Sequence, residues 1–203
     1  SYLREQMVAR ENTISFSMPF ELITNDNILV DLFKQAMVHT EECSGQEGDS
    51  LYWSYKTRGI NAESSGSNLV PTYTVEYYTT AQQEEALTEK VNQIMADFNF
   101  SDSTSEYDKV KAIHDYICDN VDYDHDLTKY SAYDALCTGT AVCQGYAVAF
   151  YRLCKEAGLS VRIIAGIGAG GRHAWNIVRI GDVYYNIDCT WDGQEPETEY
   201  AWF

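Results

Sequence analysis

The sequence predicts a mixed fold of helices and strands that closes on an antiparallel hairpin, and three observations predict it. Segments with apolar residues at three- and four-residue spacing alternate with segments rich in Val, Ile, Thr and Tyr. The second half carries two helical patterns, and the later of the two starts at a cysteine. Two alternating runs near the C-terminus flank Ile180-Gly181-Asp182, a turn signal.

The elements follow in order. Residues 11–18 read as a strand. Residues 27–40 read as a helix with Ile28, Leu29, Leu32, Phe33, Ala36 and Met37 at helical spacing, capped by Asn25 or Asp26. The Gly-, Ser- and acid-rich stretch 43–50 is a loop. Residues 51–62 and 72–79 read as strands around a turn at 63–68. Residues 81–98 form an amphipathic helix with Leu87, Val91, Ile94, Met95 and Phe98 on one face. The region 1–100 is therefore a β-α-β-β-α unit, of no assignable role.

The polar segment 101–106 is the best boundary in the chain and divides it into regions 1–100 and 101–203. Thr104 or Ser105 caps a helix over 107–120, with Val110, Ile113, Tyr116 and Ile117 apolar. Residues 123–130 read as a polar connection and 131–142 as irregular. A helix over 144–157 ends at Gly158, a normal position for glycine. Residues 161–167 form a strand, 166–171 a glycine-rich turn, and 172–180 with 183–190 the hairpin. The glycine run fits G-x-G-x-x-G but leads into a strand, so no helix N-terminus is there to hold a pyrophosphate, and dinucleotide binding is rejected. Gly168, Gly170 and Gly171 are read instead as letting a loop lie close to a site.

The charge narrows the partners. With 31 acidic against 14 basic residues the formal net charge is −17, which repels phosphate backbones and anionic lipid. No nucleic acid partner and no membrane insertion are expected, and no signal peptide is apparent. The six cysteines, at 43, 118, 137, 143, 154 and 189, include no CxxC pair. No metal and no cofactor are expected from that pattern, and most of these cysteines read as small buried hydrophobes.

Cys143 is the exception. A helix that starts at a cysteine puts the sulfur among unpaired N–H groups and partial positive charge, which favours the nucleophilic thiolate and can face an oxyanion. Gly145 is read as keeping the first turn open beside the sulfur. His173 lies on the first hairpin strand and Asp188 on the second. An Ile180-Gly181 loop sets His173 opposite Asp188, whereas a Gly181-Asp182 loop sets it opposite Thr190 with Asp188 one diagonal step away. Either register leaves both on one face, and an unbulged three-residue loop would separate them. A carboxylate beside an imidazole fixes its tautomer and stabilises its cation, which in turn lowers the thiol pKa.

The runs AVCQGYAVAFYRLCKEAGLSVRIIAG and GRHAWNIVRIGDVYYNIDCTWDG, with YDKVKAIHDYICDNVDYD upstream, resemble the transglutaminase-like superfamily in its bacterial form. The resemblance covers roughly residues 106–193. It implies an α+β, papain-like core in which a nucleophile helix packs on an antiparallel sheet, with Cys143 as nucleophile, His173 as general base and acid, and Asp188 as the orienting carboxylate. Gln144, Tyr123, Trp175 and Trp191 are candidates to line the site or serve the oxyanion. Cys154 and Cys189 read as structural, His125 as a loop residue, and His39 and His114 have no partner legible in the sequence. Family cores continue with more sheet after the Asp strand, so a trimmed C-terminus or a missing edge strand is expected.

The function expected is acyl transfer from peptide or protein amides through a Cys thioester, as a transglutaminase-like transferase or a cysteine protease. The alternative is a non-catalytic binding or scaffolding module on the same fold. Acidity and tyrosine richness fit an extracellular or cell-surface bacterial protein, and a cytoplasmic enzyme fits them as well.

Overall fold

The computed structural model describes residues 1–168 and 170–194. Its N-terminal part contains α1 (Tyr2–Val8), β1 (Thr13–Ser15), β2 (Met18–Pro19), α2 (Ile28–Ala36), α3 (Asp49–Tyr52), β3 (Tyr55–Ser65) and β4 (Asn68–Tyr77). All strand pairings here are antiparallel. β4 is central, with β3 along one edge and β1 and β2 in succession along the other. Alternation along β4 buries Tyr73, Val75 and Tyr77 against Phe33 of α2 and Met7 of α1. The Tyr73 and Phe33 rings stack at 5.6 Å, and the Tyr73 hydroxyl donates to the Leu29 carbonyl at 2.8 Å.

Two expectations for this region are corrected. A helix precedes the first strand, because Leu3 and Met7 stand four apart and share one buried face. The strand expected at 51–62 starts at Tyr55 instead, since Asp49–Tyr52 turns as a short helix pinned by the Ser54 hydroxyl on the Leu51 carbonyl.

The remainder contains α4 (Ala81–Phe98), α5 (Glu106–Asn120), β5 (Asp122–Tyr123), α6 (Ala132–Thr138), β6 (Thr140–Ala141), α7 (Cys143–Glu156), β7 (Val161–Gly168), β8 (Gly171–Ile180), β9 (Val183–Ile187) and α8 (Cys189–Gln194). The architecture is α+β. β7, β8 and β9 form an antiparallel sheet, and α7 packs across it, buried on all sides from Gly145 to Cys154. A Schellman cap ends α7: Leu159 N–H bonds the Cys154 carbonyl at 2.8 Å and Gly158 N–H that of Lys155 at 3.1 Å, with Gly158 at φ +78°. α6 replaces the irregular 131–142 segment. Its capping box is Ser131 with Asp134.

α4 lies before the polar 101–106 stretch, yet Leu87, Val91 and Ile94 are buried in the same apolar cluster as Val110, Ile113 and Phe150. Ion pairs are among the polar ties that join the N-terminal part to this core. Glu84 bridges Arg10 at 2.8 Å and Arg152 of α7 at 3.0 Å, with both arginine side chains under 5% exposed. Asp49 accepts from the Arg162 guanidinium at 2.8 Å and from the Ile163 N–H at 2.8 Å. The expectation of a trimmed or missing edge falls on residues 195–203, outside the described residues.

Candidate active site

α7 begins at Cys143, with Val142 as N-cap in extended conformation and no side-chain cap hydrogen bond. The sulfur therefore sits at the exposed N–H groups of the first turn. The Gln144 and Ala174 N–H groups and the His173 ring are the neighbours that stabilise its thiolate. Burial pushes the Cys143 thiol up, but these partners and the His173 charge outweigh it and hold the thiol below its ordinary value. Gly145 does something different from what the sequence suggested. A Cβ there would meet Ala141 Cβ at 2.6 Å and the Ser131 carbonyl at 3.0 Å, so the glycine lets the helix start press against those segments.

The hairpin takes the Gly181-Asp182 register. Ile180 pairs with Val183 and Asn176 with Ile187, and Gly181 adopts φ +61°. β9 ends at Ile187, so Asp188 is not a strand residue but the first residue beyond the strand. Its Oδ1 accepts from the Thr190 and Trp191 N–H groups at 3.2 and 3.3 Å, in the manner of a cap on α8. Its Oδ2 lies 2.6 Å from His173 Nε2. That leaves Nδ1 for the thiol. Burial lowers the His173 pKa, but Asp188 and Cys143 outweigh it and raise it to about 9. Asp188 and His173 thus share a short hydrogen bond, and Cys143 at the start of α7 is the thiol whose thiolate that imidazole stabilises. Both shifts favour the imidazolium and the thiolate.

Aromatic rings frame the imidazole. The Trp191 ring lies 4.4 Å from that of His173 at an interplanar angle of 7°, and Trp175 stacks at 5.8 Å and 20°. Trp175 is anchored through Nε1 to Asn186 Oδ1 at 3.0 Å. Gly166 and Gly168 make both placements feasible: a Cβ would meet Trp175 Cη2 at 2.7 Å and Trp191 Cη2 at 2.8 Å, respectively. By contrast, among the described residues Gly170 and Gly171 have no side chain nearby for a Cβ to meet. A cleft of about 310 Å³ opens beside the imidazole, lined by Tyr123, His173, Thr190, Trp191 and Gln194. Burial and the nearby Cys143 charge raise the Tyr123 phenol pKa, which keeps it a neutral donor.

Gln144 turns its side chain away from the cleft, and its Nε2 donates to the Trp53 carbonyl at 3.1 Å. Cys154 is fully buried in the core. His125 packs edge-on against Tyr123. His39 has partners after all, 3.3 Å from the Tyr151 hydroxyl and 3.6 Å from Cys43 Sγ.

One constellation has no counterpart in the sequence analysis. On α5, His114 Nε2 lies 3.5 Å from Cys118 Sγ and 3.0 Å from Asp192 Oδ2 of α8. Its Nδ1 lies 3.0 Å from Asp115 Oδ1. Burial works against the His114 cation, yet Cys118, Asp115 and Asp192 raise its pKa to about 9. Hydrogen bonding to Cys189 and to His114 brings the Cys118 thiol down to about 6. Only the i, i+4 spacing of His114 and Cys118 was visible in the sequence. Asp192 and Cys189 arrive from more than 70 residues away.

Residues 93–189 match the profile of the transglutaminase-like superfamily. Two curated proteins are similar to the chain. One is the Kyphoscoliosis peptidase of Mus musculus, 29% identical over 119 residues, covering 50% of this chain and 18% of that protein. The other is the Kyphoscoliosis peptidase of Homo sapiens, 26% identical over 133 residues, covering 57% and 19%. The chain thus spans about a fifth of the length of these relatives. Among solved structures, a crystal structure of a TGase aligns at TM-score 0.49 and 16% identity, covering 92% of this chain and 56% of that one.

Proposed function

We propose, given that residues 93–189 belong to the transglutaminase-like superfamily of thiol enzymes, that the chain is a thiol acyl-transfer enzyme acting on peptide or protein amides. The observation that carries this reading is the 2.6 Å bond between the Asp188 carboxylate and the His173 imidazole beside a thiol at a helix start. Cys143 Sγ forms a bond to the amide carbonyl carbon, and charge develops on the oxygen near the first N–H groups of α7. The C–N bond then breaks, and the departing nitrogen takes a proton from the His173 imidazolium. Water or a primary amine attacks the resulting thioester, His173 accepts the acceptor's proton, and Sγ leaves as thiolate. Asp188 keeps Nε2–H in place throughout, and the stacked Trp191 shields one face of the ring.

The polar cleft beside His173 is where the peptide would lie, with Tyr123 as a neutral donor toward the carbonyl oxygen. The net charge of −17 favours cationic or neutral peptides over acidic ones. The similarity to two Kyphoscoliosis peptidases favours water as the acceptor. An extracellular or cell-surface setting accords with this substrate class. The test is mass spectrometry of a Gln-containing peptide library incubated with and without a primary amine. Chain cleavage that requires Cys143 supports the peptidase reading. Amine incorporation at Gln shifts the reading to a transferase, and products unchanged by Cys143→Ala overturn both.

A further inference from the structure

We propose that His114, Cys118, Cys189 and Asp192 form a structural Zn²⁺ site that ties α5 to α8. One imidazole nitrogen and two thiol sulfurs, from His114, Cys118 and Cys189, lie mutually within 4.8 Å. Asp192 stands beside this trio rather than within it, its Oδ2 3.0 Å from the same His114 Nε2 and so placed to move in as the fourth donor. A tetrahedral zinc with bonds of about 2.0–2.3 Å sets its donor atoms roughly 3.3–3.8 Å apart. The His114 Nε2 to Cys118 Sγ distance of 3.5 Å already falls there. Two sulfurs, one imidazole and one carboxylate are the donor set that selects zinc over magnesium or calcium.

The surroundings match as well. A zinc-bound histidine turns its other ring nitrogen to a carboxylate, which fixes its orientation. Here His114 Nδ1 lies 3.0 Å from Asp115 Oδ1, and Asp115 is itself held by Lys111 at 2.6 Å. The ligands stand at i, i+4 on α5 and at i, i+3 on α8, so each helix presents its pair on one face. His114, Cys189 and Asp192 are all buried. The position gives the metal a task. α8 begins beside Asp188 and carries Trp191, so holding α8 on α5 holds both neighbours of His173. The ion would be structural, with no part in bond making.

The test is a Co²⁺ titration of the reduced full chain carrying Cys143→Ser, so that the α7 thiol contributes nothing to the spectrum. One Co²⁺ per chain is expected, with the visible bands of a tetrahedral site and a thiolate-to-cobalt charge-transfer band. Cys118→Ala and Cys189→Ala should each abolish the charge-transfer spectrum or weaken binding at least tenfold. Asp115→Asn should weaken binding by about 10- to 100-fold without changing the band positions. In the unsubstituted chain, Zn²⁺ should protect the partly exposed Cys118 from alkylation while leaving the exposed Cys137 reactive, a readout that needs no folded variant. A weak octahedral spectrum, binding unaffected by loss of either cysteine, or formation of a Cys118–Cys189 disulfide with no metal uptake would each overturn the proposal.

Discussion

The ring of Trp191 lies face to face on that of His173, 4.4 Å away and 7° from parallel, and Gly168 is what admits it. A Cβ at residue 168 would sit 2.8 Å from Trp191 Cη2 and 3.3 Å from His173 Cβ. The stack therefore depends on a glycine from the neighbouring hairpin. Gly168→Ala should lower kcat/KM by about tenfold or more and cost about 1–3 kcal/mol of stability. Gly171→Ala, whose Cβ would meet nothing closer than 4.0 Å among the described residues, should change neither. Steady-state kinetics and urea denaturation of the two variants check this, and equal effects in both would remove Gly168 from the account.

The second prediction concerns pH. The thiolate–imidazolium pair exists above the lowered Cys143 pKa and below the His173 pKa of about 9. Activity should fall on the acid side as the thiol protonates and on the alkaline side near pH 9. The linkage sign agrees: His173 is raised from 6.5, so its contribution to stability is full below 6.5 and is lost as pH rises through about 9. Asp188→Asn keeps a good capping residue for α8 but removes the charge. It should cut kcat/KM by about 10⁴-fold and move the alkaline limb to lower pH. A pH–rate profile whose alkaline limb stays in place would show that Asp188 does not set the His173 pKa.

The third prediction separates two roles for Gln144. Its side chain holds the Trp53 carbonyl at 3.1 Å, so Gln144→Ala should cost about 1 kcal/mol of stability while kcat changes only severalfold. A side chain acting as oxyanion donor would instead cost about 10²–10³ in kcat. Chemical denaturation and kcat on the same variant decide between them.

The fourth prediction concerns the tie between the N-terminal part and α7. Glu84 is the shared partner of Arg10 and Arg152, and those charges hold its carboxyl below the usual carboxylate range despite the burial that opposes this. A depressed pKa means stability present above the unfolded value and lost as pH falls. Glu84→Gln leaves two buried guanidinium groups without their counter-charge and should cost about 3–5 kcal/mol. An unfolding midpoint unchanged by the substitution would show the tie to be dispensable.

The parts of the site legible in the sequence were the local ones. Cys143 at a helix start follows from helical periodicity and the glycine at residue 158. The shared neighbourhood of His173 and Asp188 follows from a two-residue turn whose register was one of two open alternatives. Gly181, at φ +61°, is what selected between them. The helix that starts after Asp188 was not legible, because Val-Tyr-Tyr-Asn-Ile propensity runs straight into it and only the Asp188 cap breaks the strand. α6 did leave a signal, Ser131-x-x-Asp134, of the capping-box kind. The Gln144–Trp53 bond and the His114 cluster join residues far apart in the chain, so no local pattern announces them.

Site-resolved alkylation by iodoacetamide near neutral pH tests the central claim most directly, namely that His173 activates Cys143. Cys118 also has a lowered thiol pKa, so the rate at each cysteine must be read separately by peptide mass spectrometry. Cys143 should react far faster than the exposed Cys137, whose thiol pKa is raised by partial desolvation and by Glu84 and Asp134 against the pull of Lys90, and His173→Ala should abolish that advantage while leaving the Cys118 rate unchanged. A Cys143 that reacts no faster than Cys137, or as fast without His173 as with it, would contradict the account and leave the fold as a binding module.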